Sequence, residues 1–291
     1  MVKFTVIGGG ASKDLARRLA RRLRAVYIET ETKIFPDGES KITLQKIPKK
    51  SVILVVQSTY PPVDTNMLQS LSIISQVRKI SSRTYAIIPY MGYARQDKQF
   101  LSGEVITMSV VAKMLQSAGA KKVIVVDIHS NTALNHFNIP TENISAIPEL
   151  AKYFKKMKLK NALVVSPDMG GALRAKKFAA LLNTDFIALK KSRNRKTGKV
   201  LIQSSKVDVR GKDLILVDDI ISTGGSIVKA AQFLKRQKCK RVFVACTHGL
   251  FVECAEKKIK NAGVSRIIST NTIPRNTSKV DVSGVIADSI R

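Results

Sequence analysis

Tryptophan is absent from this chain of 291 residues, and aromatic residues make up only 5% of it. A surface built to stack nucleic-acid bases would need more of them. Cysteine is scarce and odd in number (Cys239, Cys246 and Cys254), with no CxxC spacing. That leaves no disulfide framework to read and suits reduced, partly buried thiols in a cytoplasmic protein. Apolar runs stop at about six to eight residues, far short of the roughly 20 that a membrane helix needs. Met1 leads directly into strand-like Val2–Ile7 and a glycine run, which is not the pattern of a signal peptide. Acidic residues are also few, 21 against 50 Lys and Arg, for a formal charge of +29. Such a balance predicts attraction to nucleotides, sugar phosphates or nucleic acid. The basic clusters are scattered, however, so most of the charge reads as solvated surface, with nucleic acid bound at most weakly and non-specifically.

What is present is ample for a globular protein. A 44% hydrophobic share and this length suit one large domain or two ordinary ones. Short buried strands alternate with helical stretches, the mark of an α/β fold with a mainly parallel sheet. Phe4–Gly10 reads as a strand running into glycines, followed by a helix from Lys13 to Arg24 with Leu15, Leu19 and Leu23 on its apolar face. The glycines lack the full dinucleotide fingerprint and receive no cofactor role. Val52–Val56 is a buried strand, and Asn66–Lys79 a helix with Leu68, Leu71, Ile74 and Val77 near helical spacing.

The richest stretch is Leu214-Ile-Leu-Val-Asp-Asp-Ile-Ile-Ser-Thr-Gly-Gly-Ser226. Leu214–Val217 reads as one buried strand, with Asp218 and Asp219 where it would end. Ser222, Thr223, Gly224, Gly225 and Ser226 offer hydroxyls and backbone N–H groups with little bulk, and a helix follows with Ile227, Ala231 and Leu234 on one face. A loop of this kind at a helix N-terminus cradles phosphate. The two carboxylates suit the hydroxyls of an attached sugar, or a Mg²⁺ beside it. The layout of 52–79 echoes that of 214–236, and Val6–Leu19 echoes Val165–Leu182. The chain therefore reads as an internal duplication with a worn-down first loop at Gln57–Thr65 and a boundary within 143–149.

Other strand ends also carry polar groups. Ile34-Phe-Pro-Asp-Gly-Glu-Ser40 is a tight turn between two strands. A strand ending at Pro89 opens into Tyr90-Met-Gly-Tyr-Ala-Arg-Gln-Asp97 and a long irregular loop to Glu104. Lys122–Val126 ends in Asp127 and His129, and Val164–Ser166 leads into Pro167-Asp-Met-Gly-Gly171 and a basic helix. Such positions line the ligand crevice of open α/β sheets. Lys190–Lys199 is a charged hairpin loop. Arg241–Thr247 and Arg266–Thr270 are further strands, with the tail from Val280 finishing the second half.

The 214–226 stretch closely resembles the phosphoribosyl-diphosphate loop of type I phosphoribosyltransferases and of ribose-phosphate diphosphokinases (PRPP synthetases). The other motifs resemble those of the diphosphokinases, in order along almost the whole chain and in the compact archaeal-like form of the family, and a phosphoribosyltransferase would leave the Phe35–Glu39 and Arg95–Asp97 motifs without purpose. The resemblance implies two similar type I phosphoribosyltransferase-like domains, 1–146 and 147–291, each a mainly parallel sheet flanked by helices. It implies diphosphoryl transfer from Mg-ATP to the C1 hydroxyl of ribose 5-phosphate, giving 5-phosphoribosyl 1-diphosphate and AMP. Phe35, Asp37, Gly38, Glu39, Arg95, Gln96 and Asp97 would then serve ATP, with the hairpin reaching a neighbouring subunit. The enzyme would be at least a dimer, with tetramer and hexamer open. His129 and Asp168 would hold Mg²⁺. Lys191, with Lys190 as the adjacent alternative, and Arg193 would be the catalytic cations, Arg193 also binding phosphate. Asp218, Asp219, Ser222, Thr223, Gly224, Gly225 and Ser226 would bind ribose 5-phosphate. Ser222 stands where many bacterial relatives have Asp, and Ser226 replaces Thr. The remaining readings are a phosphoribosyltransferase, a catalytically silent relative and a nucleic-acid-binding protein.

Overall fold

The computed structural model describes residues 3–45, 47–48, 51–193, 200–203 and 208–290, with the backbone alone for 191–193 and 200–203. The chain divides into two compact units: residues 1–145 with 272–274 and 281–291, and residues 146–271 with 275–280.

The first unit runs β1 (Phe4–Gly8), α1 (Lys13–Leu23), β2 (Val26–Glu29), β3 (Glu31–Ile34), β4 (Ser40–Thr43), β5 (Val52–Val56), α2 (Val63–Arg78), β6 (Thr84–Ile88), α3 (Thr107–Ala118), β7 (Lys122–Val126), a 3₁₀ turn (Asn131–His136) and β8 (Thr141–Ile144). Six strands form one parallel sheet in the order β2-β1-β5-β6-β7-β8, while β3 and β4 make a separate antiparallel hairpin. Alternation along the strands decides the layers. Ile7, Ile53, Val55, Ala86, Ile88, Val123 and Val125 face a core completed by Met67, Ile73, Ile74 and Val77 of α2 and Met108, Val111 and Leu115 of α3.

The second unit runs α4 (Ile147–Lys156), β9 (Ala162–Ser166), α5 (Ala172–Leu182), β10 (Phe186–Ala188), β11 (Lys190–Arg193), β12 (Val200–Gln203), β13 (Asp213–Ile221), α6 (Gly225–Arg236), β14 (Arg241–Gly249), α7 (Ala255–Asn261), β15 (Val264–Thr270) and β16 (Ser278–Val280). Its parallel sheet has the order β10-β9-β13-β14-β15-β16, and β11–β12 is the antiparallel hairpin. On β13, Leu214 and Leu216 face α6 and α7, whereas Ile215 and Val217 face α4 and α5. Phe154 meets Phe178 and Phe243 edge-on, at centroid distances of 5.7 and 6.4 Å.

Strand for strand the two orders are the same. Each unit steps outward once, makes a hairpin, and returns to the other side of its first strand. The sheet order therefore reverses between β1 and β5 in one unit and between β9 and β13 in the other. The crevice beyond the carboxyl ends at such a point is where open α/β sheets bind ligands.

Three details differ from the sequence-based expectation. The tail packs with the first unit: α8 (Ser283–Ile290) lies against α1, and Arg22 Nε donates to Ser283 Oγ at 2.8 Å. Its apolar residues Ile286 and Ala287 are fully covered there. On α2, Leu68 is 63% exposed, and the buried stripe is Met67, Ser70, Ile73, Ile74 and Val77. A small serine holds a core position on that stripe, which a search for large apolar residues passes over. Finally, β13 does not end at Val217 but continues to Ile221, because β14 runs beside it as far as Gly249 while β9 stops pairing at Leu216.

Candidate phosphoribosyl and nucleotide sites

In the second unit the acidic pair lies beyond the last β9–β13 pairing, at the mouth of the crevice. Asp219 is buried and Asp218 is half-buried. Each carboxylate caps the next residue: the Asp219 N–H donates to Asp218 Oδ1 and the Ile220 N–H to Asp219 Oδ1, both at 2.9 Å. Arg174, in the first turn of α5, bridges the pair. Its Nη1 lies 3.4 Å from Asp218 Oδ1 and its Nη2 3.1 Å from Asp219 Oδ2. Burial first, then the neighbouring Asp219 charge, pushes the Asp218 carboxyl up to about 8, with Arg174 opposing the shift.

Ser222 is half-buried and Thr223, Gly225 and Ser226 are exposed. Gly224 takes φ +76°, and a Cβ there would stand 3.0 Å from Ile259 Cδ1, so glycine is required on both counts. The α6 helix starts at the next residue with no side-chain cap, which turns a helix amino end toward the crevice.

Across the switch point, β9 ends in Ser166-Pro-Asp168. Ser166 Oγ donates to the Asp168 carbonyl at 2.6 Å, and the Gly171 N–H donates to Asp168 Oδ1 at 3.3 Å. A Cβ on Gly171 would stand 2.6 Å from Ser166 Oγ. The turn is thus closed tightly enough to hold the Asp168 carboxylate half-exposed. The backbones of Lys191 and Arg193 lie on β11; their side chains are outside the described residues.

The first unit fills the same crevice with itself. Gln57, at the end of β5, is fully buried. Its Oε1 accepts from the Ala11 N–H at 3.1 Å, and its Nε2 donates to Asn66 Oδ1 at 3.2 Å. Ser12 Oγ accepts from the Ser58 N–H at 2.8 Å, and Ser58 Oγ donates to the Thr272 carbonyl at 2.6 Å. A Cβ on Gly9 would come within 2.2 Å of Gln57 Oε1. The Ala11 and Ser58 N–H groups, which could face a phosphate, are spent on protein partners.

The first unit's polar residues stand elsewhere. The β3–β4 hairpin is closed by the Phe35 N–H to the Glu39 carbonyl at 2.8 Å, with the Glu39 N–H donating to Asp37 Oδ1 at 3.1 Å. Gly38 has φ +93°. Phe35 is half-buried beneath Lys33, whose Nζ lies 5.3 Å from the ring centroid, while Asp37, Gly38 and Glu39 are exposed. In the loop after β6, Tyr93 adopts φ +63° and its hydroxyl donates to Asp64. Arg95 and Gln96 project outward, whereas Asp97 is buried and its carbonyl accepts from His136 Nε2 at 2.7 Å. His129 is exposed beyond β7, two residues past Asp127 at φ +37°.

Sequence reasoning left two groups without a role. Arg174 lies six residues beyond Asp168, and only the fold brings it to Asp218. His136 ties the 3₁₀ turn to the Arg95 loop, and nothing in its neighbours announces that.

The duplicated parallel sheet, with an acidic pair and a small-residue loop at one switch point, defines a two-unit protein of the type I phosphoribosyltransferase class. Comparison with known proteins narrows this. Residues 4–119 match the N-terminal domain of ribose phosphate pyrophosphokinase, and residues 141–283 match the phosphoribosyl transferase domain. Ribose-phosphate pyrophosphokinase of Sulfurisphaera tokodaii is 37% identical over 290 residues, covering 98% of this chain and 99% of that protein. The Pasteurella multocida protein of the same name is 36% identical, covering 100% and 96%. The crystal structure of phosphoribosylpyrophosphate synthetase from Mycobacterium smegmatis matches with a TM-score of 0.87 at 28% identity, over 99% of this chain and 98% of that one. The chain belongs to the ribose-phosphate pyrophosphokinase family and is an enzyme of that class. No helix among its described residues is long and apolar enough to cross a membrane.

Proposed function

We propose that the chain transfers the diphosphoryl group of Mg-ATP to the C1 hydroxyl of ribose 5-phosphate, giving 5-phosphoribosyl 1-diphosphate and AMP. The observation that supports the sugar-phosphate half of this reading is the pairing of Asp218 and Asp219, clamped by Arg174, with an uncapped helix start at Gly225 in the same crevice. The diphosphokinase half rests on the match of residues 4–119 to the N-terminal domain of ribose phosphate pyrophosphokinase. A sugar phosphate fits that arrangement: ribose hydroxyls donate to the carboxylates, and the 5-phosphate lies on Ser222, Thr223, Gly224, Gly225 and Ser226. The first unit's crevice is closed by Gln57, so one sugar-phosphate site per chain follows. The β3–β4 hairpin (Phe35, Asp37, Gly38, Glu39) and the exposed Arg95 and Gln96 serve ATP, with Asp97 anchoring that loop through His136. The hairpin acts on a neighbouring subunit, so the enzyme is at least a dimer.

By resemblance to the family, Asp168 and His129 would be the residues that hold Mg²⁺. Among the described residues no three His, Cys, Asp or Glu side chains gather into a metal cage. A half-exposed carboxylate in a tight turn is what Mg²⁺ uses when phosphates and water complete its shell, whereas the His129 nitrogen is the weaker partner for so hard an ion. When bound, the ion neutralises charge on the transferring group. The chain's own part is in-line positioning of the sugar hydroxyl and cationic stabilisation by Lys191, Arg193 and Arg95.

The test is AMP formation from ATP in Mg²⁺ buffer with and without ribose 5-phosphate. AMP that appears only with the sugar, together with an equal amount of 5-phosphoribosyl 1-diphosphate, is expected. No AMP under either condition refutes the reaction.

A further inference from the structure

The amino edge of the second unit's sheet, the end away from the crevice, carries a cluster of cations that the reaction does not use. The residues entering β9, β13 and β14 include Lys160, Lys212 and Lys240 on three consecutive strands. Neighbouring strands lie about 4.8 Å apart, so these three lysines start from a line roughly 10 Å long. Two turns are stitched beside it. The Gly211 N–H donates to the Lys238 carbonyl at 3.1 Å, and the Lys240 N–H to the Lys212 carbonyl at 2.9 Å. Arg210 and Lys238 thereby join the same face, and both are exposed.

The exposed carboxylates of this edge offset only part of it, since Asp185 and Asp208 are two against the five cations Lys160, Arg210, Lys212, Lys238 and Lys240. Asp213 is buried and taken by Arg241, through Nε to Oδ1 at 2.9 Å and Nη2 to Oδ2 at 2.6 Å. Asp208 accepts from the Arg210 backbone N–H at 2.9 Å, and Asp185 stands beside the start of β9. Helix C-termini attract cations, which accounts for Lys235 and Arg236 in the last turn of α6. It does not account for Lys160, Arg210, Lys212 and Lys240, which lie on turns and strand entries. Lys212 is six residues before Asp218 on or beside the same strand, about 20 Å away at the usual rise, so these charges do not serve the crevice.

We propose that this amino edge is a docking face for double-helical nucleic acid, held through its phosphates. A double helix presents a phosphate about every 3.4 Å of axis along each strand, so a line of cations roughly 10 Å long faces about three of them and is opposite in sign. With no tryptophan in the chain and few aromatic residues, base stacking is not the mode. Recognition is of the backbone, without sequence preference.

The test uses the full-length protein and a labelled RNA duplex of about two helical turns, by fluorescence anisotropy across a salt series. Replacing Lys160, Lys212, Lys238 and Lys240 together by Gln is expected to weaken binding at least 30-fold at low salt and to flatten the log K against log salt slope by about 3 to 4, roughly one unit per lost phosphate contact. A matched quadruple variant in the first unit (Arg21, Lys79, Lys113 and Lys121 to Gln) keeps the wild-type slope, and both variants keep the wild-type thermal midpoint. Equal losses in the two variants would mean that total charge, not this face, does the binding. An unchanged slope in the edge variant, or binding to anionic vesicles with none to the duplex, overturns the proposal.

Discussion

Arg174 Nη2 lies 3.1 Å from Asp219 Oδ2. The same guanidinium reaches Asp218, so one planar cation holds two adjacent carboxyl groups whose charges oppose each other in a half-buried crevice, Asp218 retaining its proton. That contact joins α5 to β13 and orients the groups proposed to receive the ribose hydroxyls.

Replacing Arg174 by Met leaves the two carboxylates without their cation, and Asp218 then holds its proton to still higher pH. The KM for ribose 5-phosphate should rise by about 10- to 100-fold, the scale of a charged hydrogen bond, with the acid limb of kcat/KM moved upward. A Lys substitution should recover only part of this, because its point charge cannot span both partners. A KM unchanged in Arg174→Met refutes the positioning role.

Asp218 also makes stability depend on pH, and the direction follows from linkage. Its folded-state pKa is raised to about 8 from an ordinary 3.8. The folded chain therefore keeps a proton there that the unfolded chain has lost. This contribution is full below about pH 4 and disappears as pH rises through about 8. Asp218→Asn removes it. Its melting temperature should therefore gain on the wild type between pH 5 and pH 9, by about 2 °C or more. A constant difference across that range would contradict the burial of the Asp218 charge.

Gln57 is a plug rather than a ligand group. Leucine in its place leaves the Ala11 N–H and Asn66 Oδ1 without the Gln57 amide, at a cost of about 1–3 kcal/mol in urea unfolding. Saturation by ribose 5-phosphate should not change. A second sugar-phosphate site appearing in Gln57→Leu, or a KM shifted in proportion to the lost stability, would count against a purely structural part.

Lys191 is proposed to act on the transferring group alone. Lys191→Ala should lower kcat roughly 100-fold or more with little change in either KM. Full activity in that variant would remove Lys191 from the reaction.

Local chemistry made much of the architecture readable. The run Leu214–Val217 reads as a buried strand, and Gly224 and Gly225 mark the loop and the first residue of the helix that follows. Hairpin residues Pro36, Asp37 and Gly38 turn the chain wherever they occur. The echo between the two halves also survives in the strand orders, since like sequences of strand, loop and helix pack alike. The α2 stripe was harder to see, because Ser70 is core there and Leu68 is surface. Hydropathy reports what a side chain prefers, not which neighbour excludes water from it.

By itself, then, the sequence determined the α/β alternation, the duplication, and the residue types assembled at 35–39, 95–97, 168–171 and 218–226, because propensity, periodicity and turn chemistry act over a few neighbours. Tertiary structure alone decided that the Asp218–Asp219 pair receives Arg174 from 44 and 45 residues away. It also decided that the first unit's crevice is closed by Gln57 across 46 residues to Ala11, and that the tail returns to α1. Those choices depend on which surfaces meet once strands are ordered in a sheet, and no local pattern encodes a partner so distant along the chain.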